Sequence, residues 1–122
     1  MFSKVYSGGL RGIDGYVVQV EADVSDGLPG FYMVGSLASE VKEAEERVRT
    51  ALRNAGFRLS SKKITVNLSP ANVRKEGTAC DLPVAVAVLA AYGILEPSSL
   101  KETGFLGELG LDGSIKPVRG VL

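Results

Sequence analysis

KKITVNLSPANVRKEGTACDLPVAVAVLAAYG, Lys62 to Gly93, joins a strand pattern to a helix pattern through a charged loop. Ile64, Val66 and Leu68 alternate with Thr65 and Asn67, the period of a half-buried strand, so Lys62–Pro70 reads as one. Ala71–Cys80 is the loop. Cys80 or Asp81 starts a helix with Pro83 in its first turn, where a missing N–H does no harm. The body of that helix, VAVAVLAAY, is apolar all round, and a helix with no polar face is packed on both sides at the centre of a fold. Gly93 ends it.

Working outward, GYVVQVEADVS (Gly15–Ser25) is valine-rich and partly alternating, and predicts a strand. DGLPG (Asp26–Gly30) is a turn cluster and FYMVG (Phe31–Gly35) a second strand, so the pair is expected to form a hairpin. Leu37, Val41, Ala44, Val48, Ala51, Leu52 and Ala55 recur at spacings of three and four, which predicts a helix over Ser36–Ala55 with Ser36 as N-cap and Gly56 as its stop. Glu43–Arg47 and Glu45–Arg49 sit four apart in the favourable order. TGFLGELGLDGSIKPV closes the chain as a hairpin, strands Phe105–Leu111 and Ser114–Val118, with Asp112-Gly113 suggesting a type I′ turn. The order is strand, strand, helix, strand, helix, strand, strand: α+β with a mixed sheet.

Composition excludes several chemistries. The chain has 122 residues, 45% apolar and 23% charged, enough for one soluble domain. It has no histidine, hence no imidazole base and no His-ligated metal, and a single cysteine, Cys80, hence no internal disulfide. Glu21/Asp23/Asp26 and Glu40/Glu43/Glu45/Glu46 read as strand-edge and helix-surface charges and lack metal-ligand spacing. The N-terminus lacks the apolar core of a signal peptide, and the longest apolar run, Leu82–Leu95, is short of the roughly 20 residues that span a bilayer. A cytoplasmic protein is expected.

The loop at Val73–Asp81 invites two chemical readings. A phosphate loop needs clustered glycines, a lysine and free N–H groups at a helix start. Lys75 and Gly77 are present, but no GxxxxGK[ST] is, and Asp81 puts a carboxylate where the anion would sit. A nucleophile, Thr78 or Cys80, would need a base, and only a lysine such as Lys75 or Lys116 could serve. The plainer reading is a helix start.

Four stretches resemble the N-terminal domain of the magnesium-chelatase-related AAA+ proteins, the ComM/YifB group: Ser25–Gly35, Val41–Phe57, Lys62–Leu89 and Gly104–Gly120, in the family's order over nearly the whole chain. That domain is similar to the proteolytic domain of Lon proteases. The resemblance implies a ribosomal-S5-domain-2-like, Lon-protease-like mixed sheet packed with two helices, with residues 1–122 forming a single domain truncated at its C-terminus. Laid on the Lon pattern K-D-G-P-S-A-G, the loop reads Lys75, Glu76, Gly77, Thr78, Ala79, Cys80, Asp81, so Ala79 stands at the nucleophile position. Lon's catalytic lysine follows a P-x-G-G-L-K turn, and PVRGVL ends at Leu122 before that position. One departure is Ser36-Leu37-Ala38-Ser39, where relatives usually read like LPD before the helix.

The resemblance thus implies a non-enzymatic N-terminal domain of a larger AAA+ ATPase, similar to a hexameric DNA branch-migration motor of natural transformation. ATP and Mg belong to the parent's ATPase module, which is the expected partner together with further copies of the chain; no cofactor, metal or membrane is expected here. The alternatives are a Lon-like serine-lysine peptidase, or part of a true magnesium chelatase ATPase subunit. From Arg47 to Lys75 the chain carries eight basic residues and no acidic one. Beside the reading of solvated element ends stands a functional one: Arg53, Arg58, Lys62, Lys63, Arg74 and Lys75 form one patch on DNA backbone, without sequence specificity.

Overall fold

Val5, Val18, Val20, Val66 and Leu68 are completely buried on one face of a four-stranded sheet, and that face sets the architecture. The computed structural model describes residues 1–11, 14–75, 77–96, 100 and 104–116. In chain order the elements are β1 (Phe2–Arg11), β2 (Asp14–Ser25), β3 (Gly30–Val34), α1 (Ser39–Lys42), α2 (Ala44–Asn54), β4 (Lys63–Ser69), α3 (Asp81–Ala91), β5 (Glu108–Leu109) and β6 (Ile115–Lys116). The sheet runs β1-β2-β4-β3, antiparallel except for β3, which is parallel to β4. This is the expected α+β fold with a mixed sheet. α3 packs on β1 and β2, and α2 lies against α3 and β3. The other sheet face carries the exposed side chains of Phe2, Val17, Tyr32 and Val34.

Ten of the eleven residues of α3 are buried, as its unbroken apolar sequence requires. Val41, Ala44, Val48, Ala51 and Leu52 are the buried stripe of α1 and α2. Each fully buried Val or Leu stabilises the fold by about 1.5–3 kcal/mol.

Four expectations are corrected. β2 and β3 do not form a hairpin: β4 lies between them, with Ala22↔Val66 on one side and Met33↔Val66 on the other. The connection from Ser25 to Gly30 is long enough to step over one strand, and a local turn signal does not fix which strand fills the gap. β1 was not expected at all. Its inward side chains are Ser3, Val5 and Ser7, while Phe2 is exposed, so serines interrupt the hydrophobic alternation that would have marked the strand. The helix starts at Ser39 and breaks at Glu43, and Ser36 does not cap it. Ser36–Ala38 is held extended instead, by Lys75 N–H to Ser36 C=O at 2.7 Å and Ala38 N–H to Lys75 C=O at 2.9 Å.

The C-terminal hairpin is shorter than expected and not type I′. In the turn only Gly113 has positive φ, +91°, and among the described residues no non-glycine residue does, so Asp112 cannot occupy a type I′ position. Gly113 N–H bonds Gly110 C=O at 3.0 Å, and Gly110 N–H bonds Ser114 C=O at 2.8 Å, the pattern of a three-residue loop ending in a left-handed glycine. β5 and β6 pair with each other, while Phe105 N–H to Tyr6 C=O at 2.9 Å ties their approach to the edge of β1. Val118, Glu76 and the stretch 117–122 lie outside the described residues.

Candidate functional site

The loop before α3 is closed by its own chain. Asp81 is only 1% exposed. Its carboxylate accepts Arg47 Nε–H at 2.7 Å and an Arg47 terminal N–H at 3.0 Å, a two-point clamp from α2. It also accepts the backbone N–H of Leu109 at 3.1 Å. Arg47 reaches further, to the carbonyl of Glu40 at 2.6 Å and to Glu43 at 3.4 Å, and the Asp81 hydrogen bond raises its pKa. The expected Glu43–Arg47 pair therefore exists, at 3.4 Å, but as a solvated addition to a buried one. Glu45–Arg49 also forms, at 3.8 Å.

Residues 107–109 lie along the loop as a lid of backbone. Gly107 N–H bonds Ala79 C=O and Leu82 N–H bonds Gly107 C=O, both at 2.9 Å, and Thr78 donates to Glu108 at 2.5 Å. The Leu82 N–H, one of the donors that a phosphate at the α3 start would need, is thus already used. Cys80 precedes α3 without a side-chain cap and is buried, and burial pushes its thiol pKa up. Lys75 is 1% exposed and donates to the carbonyl of Pro70, and desolvation lowers its pKa. Gly77 N–H goes to Glu40, whose carboxyl it holds below the usual range. These residues do not fit ATP, and among the described residues no group of three Cys, Asp or Glu could hold a metal ion.

The six basic candidates do not make one patch. Lys75 is corrected outright: a buried ammonium bonded to its own chain presents nothing to a phosphate. Arg74 is exposed and its charge is felt by Glu40, which places it at the loop end of the molecule. Lys62 and Lys63 stand at the other end of β4, whose seven residues span about 20 Å. Lys62 is bonded to Asp26 at 2.7 Å, which raises the lysine pKa and lowers that of the aspartate. Lys63 is exposed, with its ammonium 5.8 Å from the centre of the Tyr32 ring. Arg53 and Arg58 are exposed, and neither guanidinium has an ion pair or hydrogen bond among the described residues.

Arg53 and Arg58 flank a cleft of about 540 Å³ between α2 and the start of β4. Its apolar walls are Phe31, Leu52, Phe57, Leu59, Ile64 and Val88, and Arg49 and Ser61 complete it. Arg49 sits 5.8 Å from the Phe31 ring centre. The end of α2 builds one wall. Gly56, at φ +98°, turns the chain so that its N–H bonds Arg53 C=O at 3.1 Å and Phe57 N–H bonds Leu52 C=O at 3.0 Å. This paired closure brings the residue after the glycine against the helix, here Phe57 against Leu52. Tyr92 pins the adjoining loop by donating to Ser60 C=O at 2.7 Å. Gly56 followed by an aromatic was a legible signal for that wall; Phe31, which arrives from β3, was not.

Among the described residues no helix is long and apolar enough to cross a membrane. Residues 20–122 match the family model described as subunit ChlI of Mg-chelatase. The chain is 47% identical over 118 residues to competence protein ComM of Haemophilus influenzae, covering 97% of this chain and 23% of that protein. It is 43% identical over 120 residues to the uncharacterized protein YifB of Escherichia coli, 98% of this chain and 24% of that protein. YifB of Salmonella typhimurium is likewise 43% identical, over 118 residues, 97% of this chain and 23% of that protein. The chain spans about a quarter of the length of the curated relatives it matches.

Proposed function

The chain belongs to the family of subunit ChlI of Mg-chelatase, and from that premise we propose that it is a non-catalytic, Lon-protease-like N-terminal domain of a larger cytoplasmic AAA+ ATPase. In this reading the parent binds ATP and Mg in a separate module, assembles as a ring of identical chains and moves branched DNA. The kinship with a competence protein supports a role in natural transformation. The domain contributes assembly and DNA-backbone contacts and performs no chemistry itself.

Two features of the loop support the absence of chemistry. Ala79 offers no nucleophilic atom, and its carbonyl is engaged by Gly107 N–H. The lysine nearest to it in sequence, Lys75, is buried and bonded to Pro70.

The observation that carries the DNA reading is the pair Arg53 and Arg58, whose guanidinium groups are exposed and without internal partners among the described residues; Lys63, over the Tyr32 ring on the other sheet face, is a third exposed cation. Guanidinium groups with no carboxylate to satisfy them are ready phosphate ligands. Three such contacts predict weak binding, indifferent to sequence, with a slope of log affinity on log salt of about −3 for duplex DNA. Lys62, tied to Asp26, adds at most part of a contact. Fluorescence anisotropy across a salt series tests this. Arg53→Ala/Arg58→Ala is expected to flatten the slope to about −1, one remaining phosphate contact. Absence of binding at low salt, or a slope untouched by the double substitution, refutes the reading.

A further inference from the structure

We propose that the cleft beneath Arg53 and Arg58 takes an unpaired nucleobase, so that this edge of the domain holds single-stranded nucleic acid in preference to duplex. The inference rests on the backbone contact proposed above and names what lies between the phosphates.

The cleft combines two chemistries. Its floor and walls are apolar, with the Phe57 ring among them. Its polar lining consists of Arg49, Arg53, Arg58 and Ser61, with no carboxylate. Such a site suits a ligand with a flat, weakly polar body and a negative charge outside it. A nucleotide within a strand is that ligand: the base enters, and the flanking phosphates meet the arginines. At about 540 Å³ the cleft falls within the roughly 300–1,000 Å³ typical of small-molecule sites.

The cleft is also built in advance. The helix-end closure at Gly56 fixes Phe57, and the Tyr92–Ser60 bond fixes the loop beside it, so little ordering accompanies binding. Of the three arginines, only Arg49 pairs with carboxylates among the described residues, Glu45 at 3.8 Å and Glu46 at 4.0 Å, and both distances are long. A base within a duplex is stacked and paired, and extracting it costs a few kcal/mol. An unpaired base enters without that penalty, and aromatic stacking is tolerant of base identity. Single strands are therefore favoured, still without sequence preference.

The test compares an oligothymidylate, an abasic strand of the same length and a duplex, all binding to the full chain over the same series of low salt concentrations. The two single strands carry the same phosphates and differ only in bases. The oligothymidylate is expected to bind about tenfold more tightly than the abasic strand, with the same salt slope. Equal affinity for the two overturns the base site and leaves the phosphate contacts standing. No binding to any of the three overturns both. The chain has no tryptophan, so Phe57→Trp places a single indole in the cleft. Its emission is expected to be quenched by the oligothymidylate and not by the abasic strand. Unchanged emission with bound oligothymidylate overturns the proposal. So does quenching of that indole by an acidic peptide carrying a phenylalanine where bound oligothymidylate leaves it unchanged, since the cleft would then be a protein-docking pocket.

Discussion

Arg47→Met is the most informative single perturbation of this fold. Among the described residues it leaves the Asp81 carboxylate, 1% exposed, with only the Leu109 N–H at 3.1 Å and no ion-pair partner. Removing one partner of a buried ion pair typically costs about 3–5 kcal/mol. Arg47 keeps 19% of its side-chain surface in water, so solvent screens part of the interaction and the lower figure, about 3 kcal/mol, is the expectation. The variant also loses the 2.6 Å bond to Glu40 C=O, which ties α1 to α2. Against a total stability of about 5–15 kcal/mol this is a large fraction, equivalent to a fall of about 10 °C or more in Tm. Asp81→Asn removes the charge and retains an acceptor, and should cost about 1–2 kcal/mol. The decisive measurement is the double variant in urea titrations followed by circular dichroism. With both charges gone no orphan remains, so Arg47→Met/Asp81→Asn should be less destabilised than the sum of the singles by about 1 kcal/mol or more. Additive singles, or a cost below about 1 kcal/mol for Arg47→Met, would show that the clamp is a solvated pair and that the reasoning from burial fails.

Three further outcomes are expected. Ala79→Ser should give no turnover of a fluorogenic peptide, because a hydroxyl without a base is a poor nucleophile; measurable hydrolysis refutes this. Cys80, buried and with its thiol pKa raised, should react with a thiol reagent far more slowly in native protein than in denaturant, and fast native labelling counts against its burial. Lys75→Met should leave neutral-pH stability unchanged or raised. The folded lysine binds fewer protons than the unfolded one between its lowered pKa and the ordinary 10.5, so its contribution to stability rises with pH across that window. Taken as the difference between parent and variant, which cancels the opposing titrations of Cys80 and Tyr92, that rise should disappear with the lysine; a difference that does not depend on pH refutes the assignment.

The parts of the fold legible in the sequence are those whose pattern is set locally. α3 is legible because a helix apolar on every side has only one place to go. β4 is legible because Ile64, Val66 and Leu68 keep period two. β1 is hidden because Ser3 and Ser7 take two of the inward positions, where a hydrophobic pattern would have marked the strand. The partner of β3 is hidden because Met33 meets Val66 across a parallel pairing that no turn specifies. The basic run from Arg47 to Lys75 reads as one feature in sequence, but β4, about 20 Å long, separates Lys62 and Lys63 from Arg74, and α2 turns Arg47 inward to Asp81.

The loop at Lys75–Asp81 carries the residue types of a reactive site: a lysine, a hydroxyl, a thiol and a carboxylate before a helix. Reactivity needs those groups exposed to a substrate and poised against one another. Here the lysine is spent on Pro70 and the hydroxyl on Glu108, the carboxylate on Arg47 and Leu109, and the thiol is buried. The bonds of Thr78 and Asp81 join elements that lie far apart in the chain: α2, the start of α3 and the C-terminal hairpin. The same loop therefore acts as the point where three segments are fastened together. At the far end of α2, by contrast, Arg53 and Arg58 have nothing of their own among the described residues to bind. A stable fold gains little from unpaired surface guanidinium groups, whereas a polyanion gains directly from them. Among the described residues the buried charges are satisfied while the guanidinium groups of Arg53 and Arg58 are not, and that edge is where recognition of another molecule is to be sought.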